Sequence, residues 1–191
     1  IIAGVLRTYT PYPVIAEEEV AAGDAVPDIS PDTPFWLVDA LDGTRAFIRH
    51  EADFTVNLAL VYQDRPVFGA IYAPVFERMF HAAKGRGAWE GATRLSIPSP
   101  DRNDLHALGG MRSASIEKLE PFIGPHCMKT RERRSSSLKF CMVAAGEADL
   151  YARIGPTFEW DTAAGDILLR ESGGVIVDIE AHAPLRYAKT E

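Results

Sequence analysis

The sequence predicts a mixed fold, α+β around an antiparallel sheet in its first half and α/β in its second. Residues 54–83 carry period-two alternation, with Phe54, Val56, Leu58 and Leu60 on one strand. The turn "QDRP" breaks it, and it resumes over 67–72 and 78–83, which is the pattern of an antiparallel meander. After residue 104 short strands alternate with helical patterns. At 47% hydrophobic and 25% charged over 191 residues, the chain has the composition of a globular protein with a good-sized core.

Taken in order, residues 1–6 read as the tail of a helix that Pro11 and Pro13 stop. "PVIAEEEVAAGD" is a short strand running into Glu17, Glu18 and Glu19, and residues 21–34 are a loop rich in Ala, Gly, Asp and Pro. "FWLVD" is apolar on both faces, as a central strand is, and "TRAFIRH" is a short helical turn. "PSPDRND", residues 98–104, divides the chain into halves 1–100 and 101–191. "SSSLKFCMVAAG" is a helix with serines for its N-cap and Gly146 at its C-terminal end. "ADLYARI" is a strand, "WDTAAGDILLRESGG" a helix with Asp161 at the N-cap and Gly173 after its end, and "VIVDI" a further strand. No internal repeat stands out.

The composition also narrows function. No apolar stretch reaches the roughly eighteen residues of a membrane span, and no basic n-region precedes an apolar run. Cys127 and Cys141 make no disulfide framework, and Cys141 in "LKFCMVAAG" reads as a core residue, so a reducing cytoplasm is the expected compartment. A net charge of −7 argues against broad nucleic-acid binding but leaves room for a small anion held by local positive groups or by metal. The opening "IIAGVL", without start methionine or cap, and the close at "RYAKTE" predict that residues are missing at both ends.

Three acidic sites sit where apolar strands give way to loops or helix starts: Glu17–Glu18–Glu19, the pair Asp39 and Asp42, and Asp161. Carboxylates there are costly to bury unless a helix N-terminus, an arginine or a metal ion meets them. Hard cations such as Mg²⁺ take oxygen ligands, and in "DALD" two side chains and the Leu41 carbonyl can face one ion. Gly43 and Thr44 would then open a helix whose N–H groups hold a phosphate oxygen. Each piece also has a plainer reading: Asp161 as a cap, Asp42 as a turn, the glutamates as solvated surface. "GRGAWEG" has G-x-G-x-x-x-G spacing with no helix behind it, so Gly85, Gly87 and Gly91 read as a hairpin turn plus a loop. Lys129, Arg131, Arg133, Arg134 and Lys139, with Arg153 soon after, form a basic cluster around the serine cap that suits phosphate, or a solvated basic face.

"FWLVDALDGTRAF" resembles the W-[IL]-[IV]-D-P-[IL]-D-G-T motif of the inositol monophosphatase superfamily, and "EWDTAAGDILLRESGG" its second signature, W-D-x-A-A-G. "AEEE" stands where that family has its glutamate loop. "FTVNLALV", "GAIYAPV", "SSLKFCMVAAGEADLY" and "GPTFEWDTAAG" are similar to the 3′(2′),5′-bisphosphate nucleotidase branch, the bacterial sulfur-assimilation type. Ala40 and Ala16 depart from the family's usual residues without removing a ligand.

The resemblance implies a layered αβαβα sandwich of the inositol monophosphatase/fructose-1,6-bisphosphatase type and Mg²⁺-dependent, lithium-inhibited phosphomonoester hydrolysis. It implies two or three Mg²⁺ ions on Glu17, Asp39, the Leu41 carbonyl, Asp42 and Asp161, with Glu17, Asp42 and Thr44 as catalytic residues. Gly43 and Thr44 would contact the scissile phosphate. Ser136, Ser137, Lys139 and Arg153 would contact the nucleotide, and Glu159 and Asp161 would lie near its ribose or the metal. Arg153 stands where inositol monophosphatases carry a glutamate for inositol hydroxyls, which favours a second phosphate and hence 3′-phosphoadenosine 5′-phosphate. Family members begin with two helices and a segment whose aspartate partners the threonine matching Thr44; that segment precedes Ile1. Dimers are common in the family, and no feature of the sequence fixes oligomeric state. The competing readings are an inositol monophosphatase or broad sugar phosphatase and, from another class, a non-catalytic nucleotide- or metal-binding protein.

Overall fold

The computed structural model describes residues 1–30, 32–101, 104–109, 127–130, 135–153 and 155–188, with backbone alone over 127–130 and at Ser136. Arg131, Arg133 and Arg134 of the expected basic cluster lie outside them.

Helix α1 (Ile2–Tyr9) runs three residues past the expected tail and ends before Pro11. Strand β1 (Val14–Ala16) leads into α2 (Glu17–Ala21), so the three glutamates form one helical turn. Strand β2 (Phe35–Asp42) continues through both aspartates, with a register break between Asp39 and Asp42, and α3 (Thr44–Ile48) follows. The meander is β3 (Thr55–Tyr62), β4 (Arg65–Ala73) and β5 (Arg78–Ala83). It does not stop there. The segment read as turn plus loop contains β6 (Gly87–Glu90), which pairs with β5, and β7 (Thr93–Leu95) completes a seven-stranded sheet in chain order. Short glycine-broken strands hide from a periodicity reading; here the sheet supplies the pairing that their own sequence does not.

The second half contributes β8 (Leu105–Gly109), β9 (Cys127–Thr130) and β10 (Leu150–Ala152), a parallel sheet in the order β10-β8-β9. Helix α4 (Ser136–Ala144) is capped by Ser135, whose Oγ accepts from Leu138 N–H at 3.2 Å. Helix α5 (Glu159–Ser172) starts two residues before Asp161, so Asp161 is not the N-cap. It sits inside the first turn, where its Oδ2 accepts the Phe158 N–H at 3.1 Å. "VIVDI" yields only the two-residue β11 (Val177–Asp178), paired with β12 (Ala183–Pro184).

Among the described residues the layers run α1, seven-stranded sheet, α4 with α5, three-stranded sheet, a mixed α/β and α+β architecture. Helix α5 lies across β2 to β6 and against α4. Two glycines let it approach: a Cβ on Gly69 of β4 would come within 2.5 Å of Ile167 and 2.9 Å of the Ala164 carbonyl, and one on Gly165 within 2.4 Å of Phe140. The sheet face under α5 is the more buried one. On β3 it carries Thr55, Asn57, Ala59 and Val61, while Val56, Leu58 and Leu60 are only partly buried on the α1 side. The apolar alternation therefore marks the thinner layer, and two polar side chains occupy the main core.

The chain's last described segment is tied down at its base and tip. Arg65 donates to the Leu185 carbonyl at 2.7 Å, Arg186 pairs with Asp64, and Ala188 N–H donates to Glu159 Oε2 at 2.9 Å.

Candidate functional site

Strand β2 runs on past the end of β1, whose last paired residue Ala16 stands opposite Val38, while it stays paired with β3 through Asp42. β1 and β2 run parallel, so the start of α2 and the end of β2 lie at the same sheet end. The first turn of α5 reaches that end across the sheet. One carboxylate oxygen each from Glu17, Asp39 and Asp161 lies within 4.8 Å of the others. Of the three consecutive glutamates only Glu17 joins this cluster; Glu19 faces away and pairs with Arg7 at 2.7 Å.

Asp39 is 1% exposed. Its Oδ1 accepts from Leu41 N–H at 2.9 Å, and its Oδ2 lies 3.5 Å from Asn57 Nδ2. Burial, then the Asp42 and Glu17 charges, push its pKa up to about 8. Burial raises Glu17 against the lowering pull of Asp39's side chain, and the Asp161 charge adds to the rise. Asp161 is raised by burial against the opposing pull of the Phe158 N–H. Three carboxyls are held together against their own repulsion, with the Arg153 charge acting only weakly on Asp161, and they form a hard oxygen donor set that fits a divalent cation.

Asp42 stands beside this triad. Its Oδ2 accepts from Ser137 N–H at 3.1 Å, the first turn of α4, and lies 3.5 Å from Thr55 Oγ1. The Leu41 carbonyl accepts from Thr44 Oγ1 at 3.1 Å, so Thr44 is tied to the same bend. Gly43 makes the bend possible: its φ is +91°, and a Cβ would stand 2.6 Å from the Asp53 carbonyl.

On the α4 side Lys139 is 3% exposed, its Nζ 5.0 Å from the centre of the Tyr151 ring. Burial pushes its pKa down, Asp53 pushes it up, and Arg153 adds to the lowering. Arg153 donates to the Pro156 carbonyl at 3.3 Å. The Ser137 side chain is buried and turned inward, its Oγ accepting from Asn57 Nδ2 at 2.8 Å. Glu159 spends one carboxylate oxygen on the Ala188 N–H. Two residues of this site went unread in the sequence, Thr55 and Asn57. The available signal was two polar residues inside an otherwise aliphatic strand.

Residues 1–190 match the inositol monophosphatase family. The chain belongs to that family. It is 41% identical over 177 residues to the 3′(2′),5′-bisphosphate nucleotidase CysQ of Salmonella typhimurium, a match covering 91% of this chain and 70% of that one. Against the protein of the same name from Escherichia coli K12 the identity is 39% over 190 residues, covering 97% and 74%. Among solved structures of the family, CysQ of Bacteroides thetaiotaomicron superposes with a TM-score of 0.75 at 33% identity, covering 98% of this chain and 76% of that one. The Thermotoga maritima IMPase shares the fold, with a TM-score of 0.81 at 24% identity over 96% of this chain and 70% of that one.

Proposed function

We propose that this chain is a 3′(2′),5′-bisphosphate nucleotidase, a Mg²⁺-dependent phosphomonoesterase that hydrolyses 3′-phosphoadenosine 5′-phosphate to AMP and phosphate. The observation that carries the reading is the Glu17–Asp39–Asp161 cluster, built at the sheet end, with Asp42 linking it to the field of the buried Lys139. The bisphosphate nucleotidases at 39–41% identity support the substrate class.

In this reading Glu17, Asp39, the Leu41 carbonyl, Asp42 and Asp161 hold two or three Mg²⁺ ions. Bound there, Mg²⁺ would supply a water nucleophile at neutral pH and polarise the phosphoryl oxygens. Gly43 and Thr44 orient the scissile phosphate, with Thr44 already fixed through Leu41. Lys139 and Arg153 face the second phosphate, with Ser136 and Ser137 along the same helix start and Glu159 toward the ribose. Positive groups on one side and metal on the other let a protein of net charge −7 bind a multiply charged anion. Lithium sensitivity, a cytoplasmic place in sulfur assimilation and a homodimer belong to the same reading.

Phosphate release from 3′-phosphoadenosine 5′-phosphate tests it, with and without Mg²⁺ and lithium, for the wild type and Asp42→Asn. The expected result is Mg²⁺-dependent, lithium-sensitive turnover that falls at least about a hundredfold in the variant. Cleavage of inositol 1-phosphate alone would overturn the nucleotidase assignment, and silence on both substrates would overturn the enzyme.

A further inference from the structure

Asn57 stands directly opposite Asp39 in the antiparallel pairing of β2 and β3. It is 1% exposed, on the sheet face that α5 covers, between Thr55 and the aliphatic Ala59 and Val61. Its carboxamide Nδ2 donates to Ser137 Oγ at 2.8 Å and reaches Asp39 Oδ2 at 3.5 Å, the long end of hydrogen bonding. Thr55 Oγ1, 3.0 Å from Asn57 Oδ1, fixes which way the amide is turned. Ser137 N–H in turn donates to Asp42 Oδ2 at 3.1 Å. Asp39, Asn57, Ser137 and Asp42 thus form a chain of contacts whose two ends are the aspartates of "DALD" and whose middle is the first turn of α4.

A buried amide in a hydrophobic layer costs free energy unless all its hydrogen-bonding groups are used. Here they are, and they join elements 80 residues apart. Leucine has the same branched outline and would bury no polar group of its own at this position. Nor does charge neutralisation explain the choice: asparagine donates a hydrogen bond to Asp39 without cancelling the negative field that a cation needs.

We propose that Asn57 is a positioning residue that couples the acidic cluster to helix α4, so that cation binding at Asp39 and anion binding beside α4 strengthen one another. This rests on the metal-site reading above. When a cation draws on Asp39, the amide follows the carboxylate and carries Ser137 with it, and with Ser137 the helix turn that bears Lys139. Linkage makes the effect reciprocal: an anion at α4 tightens the cation by the same factor.

The test is Mn²⁺ affinity by electron paramagnetic resonance, measured with and without inorganic phosphate, on the wild type, Asn57→Leu, Ser137→Ala and the double variant. Loss of a hydrogen-bond partner behind a metal ligand typically weakens binding about 10–100-fold. The expected result is Mn²⁺ affinity about tenfold weaker in Asn57→Leu without phosphate. The phosphate enhancement should shrink in both single variants, and the double variant should be no worse than Asn57→Leu. Should Asn57→Leu fail to fold, Ser137→Ala carries the test alone, since it weakens Mn²⁺ binding without phosphate only if the contact through Asn57 matters.

Folded variants that bind Mn²⁺ within twofold of wild type and keep the full phosphate enhancement would overturn the inference, whatever their melting temperatures. A wild type that binds Mn²⁺ and phosphate with this linkage but hydrolyses no bisphosphate nucleotide would overturn the proposed function and leave the inference standing.

Discussion

Asp39 is a carboxyl group at the edge of a core, with Glu17, Asp42 and Asp161 as its charged neighbours. Its raised pKa has a thermodynamic consequence. A carboxyl that holds its proton more tightly folded than unfolded makes the metal-free fold lose stability as pH rises from 3.8, its ordinary value, through about 8. Without divalent cation the melting temperature should therefore be lower at pH 8 than at pH 5.5. Mg²⁺, which takes the place of the proton, should raise it more at pH 8. A stabilisation by Mg²⁺ that is equal at both values would contradict the cluster's role. Lys139 carries the complementary prediction on the anion side. It is a buried cation with Asp53 and Asp42 in its field, and its stem is fixed by α4. Lys139→Met should raise KM for the bisphosphate about 10–100-fold, the worth of one charge-assisted contact of roughly 1.5–3 kcal/mol. KM for a nucleoside monophosphate should change far less, and an equal rise for both would place Lys139 at the scissile phosphate instead.

At the scale of elements, the position of α5 decides whether Asp161 reaches the other acids. The helix is seated through Gly69 and Gly165, where strand and helix come closer than any side chain allows. Gly69→Ala sets a methyl against Ile167 and the backbone of Ala164, so relief requires the helix to move. Overpacking of this kind typically costs about 1–3 kcal/mol. In a chain of this size that lowers the melting temperature by about 2–4 °C per kcal/mol. The displacement should also weaken Mg²⁺ binding through Asp161; lost stability with unchanged Mg²⁺ affinity would separate the helix seat from the site. Gly43 works differently, because its φ of +91° is itself unfavourable for any side chain.

For the whole molecule, the two halves 1–100 and 101–191 supply different parts of one core. Phe80, Ile71 and Val61 of the sheet are buried in the same cluster as Leu138, Phe140, Ile167 and Leu168 from α4 and α5. We propose these halves as units of chain that fold together. Residues 1–100 expressed alone would expose the α5 face of the sheet, a contiguous apolar surface of the kind that aggregates. The expected outcome is insoluble or molten material by circular dichroism and dye binding, rescued by co-expression with 101–191. A soluble, cooperatively melting 1–100 fragment would show instead that the sheet is self-sufficient.

Much of this was legible in the chain itself. Alternation gave β3 to β5, the apolar run gave β2, and serine before an apolar helix gave α4, because these signals arise from local geometry and from which residues water expels. Two signatures carried the family. The sequence also marked Glu17, Asp39, Asp42 and Asp161, since acids at the ends of apolar strands are conspicuous. It could not say that Glu17, Asp39 and Asp161 share one 4.8 Å span while Asp42 turns to Ser137, because distances between elements are set by packing. It misplaced the start of α5, where Asp161 caps from inside the first turn rather than from before it. It passed over β6, whose pairing is supplied by β5. It was silent on Thr55 and Asn57, which look like the wet side of a strand until α5 covers them. The residues chose which acids could meet; the tertiary structure alone decided which do, because the free energy that crowds like charges together comes from burying the helix and sheet that bear them.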